Sequence, residues 1–185
     1  HNKQLFETFI YMLNEGKSKL RGKKEGGLDR NLKFSTIAIT TGEEPLVDIN
    51  HHSGAKNRVL DIYGKPFDNE QQAKKIYKIT KTEFGTAGPV FIENLIKEYA
   101  SNGYKDLVEE YDKIEEKISN LVSKNTISSY IQAVASIILA DSLIGRYFFD
   151  TDLESSINMG RSILEQLPKE DETSDVERAY DLICS

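Results

Sequence analysis

At 185 residues, the chain has room for one domain of ordinary size, or for a core plus a helical appendage. Its 38% hydrophobic and 29% charged residues exclude a disordered chain, and a net charge of −6 excludes indiscriminate nucleic-acid binding over the whole surface. The single cysteine, Cys184, excludes an internal disulfide and a cysteine-built metal site. No stretch has the ~18–20 consecutive apolar residues of a membrane span and no signal peptide is visible. A cytoplasmic location without a membrane partner is therefore the expectation.

Leu5, Phe6, Phe9, Ile10 and Leu13 recur at helical spacing, and Gly16 stops the run. This first helix is amphipathic and needs a cover. Residues 17–33 follow with seven Lys/Arg against Glu25 and Asp29, a local balance of +5, so the rest of the chain carries −11. From charge alone, a solvated loop accounts for this cluster as well as an electrostatic footprint does. Gly22, Gly26 and Gly27 permit a tight reversal such as a hairpin tip. Phe34–Thr40 reads as a strand with apolar residues on both faces, as in a parallel sheet. It ends in Thr41-Gly42-Glu43-Glu44-Pro45. Val59–Tyr63 reads as a second strand, bounded by Gly54 and by Gly64-Lys65-Pro66.

From Asp68 the pattern is helical. Asp68 to about Lys81 is a polar helix, and Pro89 suits the first turn of the next one, which stops at Asn102-Gly103. Leu107, Tyr111, Ile114, Ile118 and Leu121 alternate steps of four and three, the stripe of a helical hairpin. Asn125–Ala140 contains no charged residue and belongs in the middle of a bundle. Thr151-x-x-Glu154 and Ser174-x-x-Glu177 are capping boxes, each opening a helix. The fold class is thus mainly α with a small β component: an α/β piece over residues 1–66, then a helical region over 67–185.

Few residues carry chemistry by spacing alone. Gly16-Lys17-Ser18 ends like a phosphate loop, but the required first glycine is Tyr11, inside a helix. His51-His52 is the one histidine pair, and adjacent side chains of extended backbone point apart, so no metal site is expected. Arg58 stands where a loop meets the second strand. An arginine there can stabilise charge on a transferring phosphoryl group, or merely flank the strand.

Four stretches occur in a fixed order: Tyr11-Met-Leu-Asn14-Glu-Gly16-Lys17 through Arg21, Ser35-Thr36 to Thr41-Gly42-Glu43, Gly54-Ala-Lys-Asn-Arg58-Val59, and Phe84-Gly85-Thr-Ala-Gly88-Pro89. The series, over residues 5–100, resembles the domain-of-unknown-function 927 family, ATPases allied to superfamily-three helicases of phages, plasmids and cassette chromosome elements. The resemblance implies the C-terminal fragment of an AAA+-like motor that acts on DNA as a homo-oligomeric ring, using ATP and magnesium. Its phosphate loop would lie upstream of His1, leaving the fragment itself inactive and without a cofactor. Thr40 or Thr41 corresponds to the polar sensor, although related helicases often place asparagine there. Arg58 corresponds to the arginine finger, and Lys17, Lys19, Arg21, Lys23 and Lys24 to the DNA-facing loop. Two other classes compete: a non-enzymatic helical interaction module, and a small nucleic-acid-binding domain.

Overall fold

The structure, a computed structural model, describes residues 2–17, 33–47 and 53–169. Of these, 66% are helical and 3% lie in isolated bridges, with no sheet among the described residues. The chain is mainly α. It divides into two compact units, residues 1–61 with 168–185, and residues 62–167.

In the first unit, helix α1 spans Asn2–Glu15. It ends at Gly16, whose φ of +61° is left-handed, and a Cβ there would stand 2.5 Å from the Phe34 carbonyl oxygen. Glycine is the residue that meets both demands. Glu7 and Ile10 are buried, yet Leu5 is 73% exposed, so the apolar stripe of α1 is covered along one edge only. A one-turn helix, α2, spans Ser53–Lys56 and buries Ala55 and Lys56.

The two expected strands are not formed among the described residues. Phe34–Thr40 is extended chain, tied at its start by the Lys17–Lys33 antiparallel bridge and by Phe34 N donating to Gly16 O at 2.9 Å. Beyond that it has no neighbouring strand among the described residues, and Ile37 and Ile39 are 89% and 90% exposed. Residues 59–63 are likewise irregular, with Tyr63 88% exposed. The physical reason is one of supply. A strand apolar on both faces needs flanking strands for its N–H and C=O groups and a layer over each face. The described residues provide neither.

The second unit is a set of helices. Helix α3 spans Glu70–Thr80, with the Asn69 side chain accepting from Gln72 N at 2.9 Å as its N-cap, and none of its residues is buried. Helix α4 covers Ala87–Tyr99 with Pro89 in the first turn and runs into a 3₁₀ turn, Ala100–Asn102. Gly103 and Tyr104 are both left-handed, which turns the chain into α5, Lys105–Leu121. Helix α6, Ser128–Ile144, continues as a π-helical turn, Gly145–Phe149, and α7 follows at Leu153–Gln166.

Helix α6 is central, packed against both α5 and α7. Val134 and Ile138 of α6, Ile114 and Ile118 of α5, and Ile157 and Leu164 of α7 are at most 1% exposed. Each such side chain contributes about 1.5–3 kcal/mol of burial, which makes this layer the main stabilising element of the unit. Gly160 lets α7 approach, since a Cβ there would collide with the Ile138 and Val134 side chains. The uncharged stretch expected over Asn125–Ala140 is thus an interior helix, shifted to later residues. With its π turn it runs Ser128–Phe149, 22 residues that include an 18-residue window of mean hydropathy 1.3, long and apolar enough by composition to cross a membrane. The first capping box is offset by one residue: Asp152, not Thr151, caps α7 by accepting from Ser155 N at 2.9 Å. The second, at Ser174, lies outside the described residues.

Candidate functional site

In the first unit the sequence-predicted residues fall into four groups. Lys17 and Lys33 pair as an antiparallel bridge, which sets the two ends of the cationic stretch side by side. Lys19, Arg21, Lys23 and Lys24 lie outside the described residues, as do His51, His52 and Cys184. Thr40 and Thr41 are exposed on irregular chain rather than at a strand tip, because the strand that would carry them lacks its sheet.

Arg58 is held in place. Its Nη1 donates to the Gly54 carbonyl oxygen at 2.5 Å, and its guanidinium lies 5.0 Å from the Tyr11 ring centroid. One turn of helix α2 supplies the carbonyl and α1 supplies the ring. Gly54 makes this possible, because a Cβ at that position would stand 2.6 Å from the Tyr11 hydroxyl and 3.5 Å from Arg58 Nη1. The Arg58 side chain nonetheless remains exposed. A cation over an aromatic face at an exposed site is stabilised by roughly 0.5–1 kcal/mol, enough to bias one rotamer. Neither Thr40 nor Thr41 is hydrogen-bonded to Arg58 among the described residues. Nearby in sequence, the Asp61 carboxylate accepts from Leu46 N at 2.8 Å and ties the loop before α2 to the chain after it.

The second unit contains a polar junction that the sequence reading missed. Arg146, in the π turn, donates to Glu98 Oε1 of α4, and its Nη2 donates to Glu110 Oε1 of α5 at 2.5 Å. Tyr99 OH donates to Glu110 Oε2 at 2.5 Å, and Tyr147 OH donates to Glu98 Oε2 at 2.6 Å. Burial, then the hydrogen bond and charge of Glu110, push the Tyr99 phenol well above its usual 10.0. Burial, then Glu98, do the same to Tyr147. Burial opposes the Arg146 charge, but Glu110, Tyr99 and Glu98 outweigh it, and the guanidinium is held above its usual value. Tyr147 also meets Phe91 edge-on, with ring centroids 5.5 Å apart. One cation here joins three helical elements. An open cleft beside it is lined by Glu98, Tyr99, Asp106, Glu109, Glu110 and Lys113. Among the described residues, no group of three or more His, Cys, Asp or Glu is arranged to hold a metal ion. The partners of Arg146 lie 36 and 48 residues away, beyond any local spacing rule.

Compared with models of known protein families, with curated proteins and with solved structures, the chain matches none.

Proposed function

We propose that the chain is the C-terminal part of a helicase-like AAA+ ATPase that acts on DNA in the replication of a mobile element. The observation that carries this reading is the Lys17–Lys33 bridge. It closes the neck of a stretch with seven Lys/Arg, directly before an apolar extended segment. Cations gathered in a stretch whose two ends are held together neutralise adjacent phosphates. In this reading Phe34–Thr40 and Val59–Tyr63 join strands supplied by the rest of an α/β core, which also accounts for their bare apolar faces. ATP and magnesium belong to the assembled motor. The phosphate loop is a motif that these 185 residues do not contain after any strand. The residues in hand contribute a polar sensor at Thr40 or Thr41 and an arginine, Arg58. Its exposed guanidinium is held by Gly54 and Tyr11, and in this reading it serves the ATP of a neighbouring copy in a ring.

The test uses the full-length protein. Replacing Lys19, Arg21, Lys23 and Lys24 with alanine lowers DNA affinity and flattens its dependence on salt, by about 0.9 in log–log slope per lost duplex contact. Arg58→Ala cripples ATP hydrolysis on the order of 10³-fold while nucleotide binding persists. An unchanged salt slope together with parental ATP turnover would sink the reading. One observation favours a second reading, a non-enzymatic helical interaction module: Ile92 and Ile96, one turn apart on α4, are each 50% exposed.

A further inference from the structure

Helix α3 is unusual among the longer helices of the second unit in burying none of its residues. Its charge is also unlike that of the chain around it. From residue 70 to 81 there are four lysines against Glu70 alone, a local +3 in a protein of −6. At about 100° per residue, Lys81, Lys74, Lys78 and Lys75 fall within one arc of about 120°, and Tyr77 borders that arc beside Lys74 and Lys81. The side chains bear this out: Lys81 Nζ sits 4.5 Å from the Tyr77 ring centroid. Tyr77 is 66% exposed, more so than Ile76 at 40%, on the far side from the lysines, or Ile79 at 45%, which borders Lys75. Among the described residues Lys74 alone of the four has an acidic partner, Glu70 at 2.6 Å, and both members of that pair are about three-quarters exposed. Such a pair is easily exchanged for another anion.

We infer that this lysine-and-tyrosine row is a contact site for single-stranded nucleic acid. The chemistry has two parts. Lys74, Lys78 and Lys81 rise along the helix over about 10 Å, the span of about three nucleotides at 3.4 Å per strand. They provide charge that tracks a backbone. Tyr77, already under a cation, offers an open ring face on which an unpaired base stacks; a paired base in a duplex has its faces covered. The apolar arc around Ile76 and Ile79 is the half-covered side of the helix, leaving the cationic arc as the side turned to solvent. The site stands on α3 alone and does not depend on the ATPase reading.

The test measures binding of a fluorescein-labelled oligothymidylate of about 20 nucleotides, and of a duplex of equal length, to the full chain by anisotropy across a salt series. Three variants are compared: Lys74/Lys78/Lys81→Gln, Tyr77→Ala and Tyr77→Phe. All changes are on an exposed helix face, and circular dichroism checks that the helix content is kept. The triple variant is expected to flatten the log–log salt slope by about 2, at roughly 0.7 per phosphate contact on a single strand. Tyr77→Ala is expected to weaken binding about fivefold or more without altering the slope, and Tyr77→Phe, which keeps the ring, to restore it. Three results would overturn the proposal: no oligothymidylate binding at low salt, a triple variant with the parental slope, or Tyr77→Ala indistinguishable from Tyr77→Phe. Binding to vesicles of anionic phospholipid in place of the oligonucleotide would overturn it in favour of a membrane surface. ATP turnover is scored separately, so loss of the motor reading leaves this result standing.

Discussion

Two segments of this chain read by sequence as needing cover on more than one side, and they meet opposite fates. Helix α6 buries Val134 and Ile138 completely, whereas Ile37 and Ile39 of the extended segment stand 89% and 90% exposed. Hydrophobicity does not separate them. A helix closes its own backbone hydrogen bonds and needs only side chains to cover it, which α5 and α7 supply. An extended segment must borrow its hydrogen bonds from neighbours, and here one bridge at Lys17 and Lys33 is all it finds among the described residues. Apolar pattern becomes burial only where the backbone is also satisfied.

Substitutions can sharpen or break this contrast. The largest effect is expected at Ile138→Asp, which puts an unpaired charge at a fully buried position. It should cost on the order of 4 kcal/mol in denaturant unfolding followed by far-ultraviolet circular dichroism. A variant that melts like the parent would dissolve the claim that α6 is the interior element. An intermediate effect belongs to the polar junction. Tyr99 and Tyr147 hold their protons more tightly folded than unfolded, so their contribution is fully present below about pH 10, the ordinary phenol value, and is lost as pH rises beyond it. Unfolding curves from pH 8 upwards should therefore show stability falling above that point. The fall should be shallower in Tyr99→Phe/Tyr147→Phe, and an identical profile in that variant would remove the phenols from the account. The smallest effect is expected at Ile37→Lys, within about 0.5 kcal/mol of the parent because the side chain is already in water. A large loss there would mean that the segment is covered in solution and that the contrast is false.

The helices were legible in sequence because their signals are local. Pro89 in a first turn, Gly16 at a stop and the stripe through Ile114 and Ile118 act within a few residues, and each falls where it is expected. Offsets of one to a few residues, such as Asp152 taking the cap expected of Thr151, reflect neighbours of equal chemical aptitude competing for one position. The two expected strands are not formed among the described residues, because alternation and β-branched content state a preference, while partners decide the outcome. At the candidate site, Arg58 could be singled out from its place after a glycine turn, but not its seat on Tyr11, 47 positions earlier. The junction of Arg146 with Glu98 and Glu110 was invisible for the same reason. It exists only once α4, α5 and the π turn have been brought together.

The π turn itself has a consequence for how the chain can vary. Thr151 N reaches back to Gly145 O at 3.4 Å, Asp150 takes a left-handed φ of 53°, and a Cβ on Gly145 would collide with the Thr151 side chain. A wide turn of this kind accommodates one residue more than an α-turn in the same loop of backbone. It works as a phase adjuster: removing Gly145 would swing Arg146 and Tyr147 round the helix axis, away from their carboxylates. Reading frames of side-chain direction, not only of codons, are therefore fixed at this point. Changes in length are better absorbed before α3 or after α7 than in the five residues that join α6 to its partners.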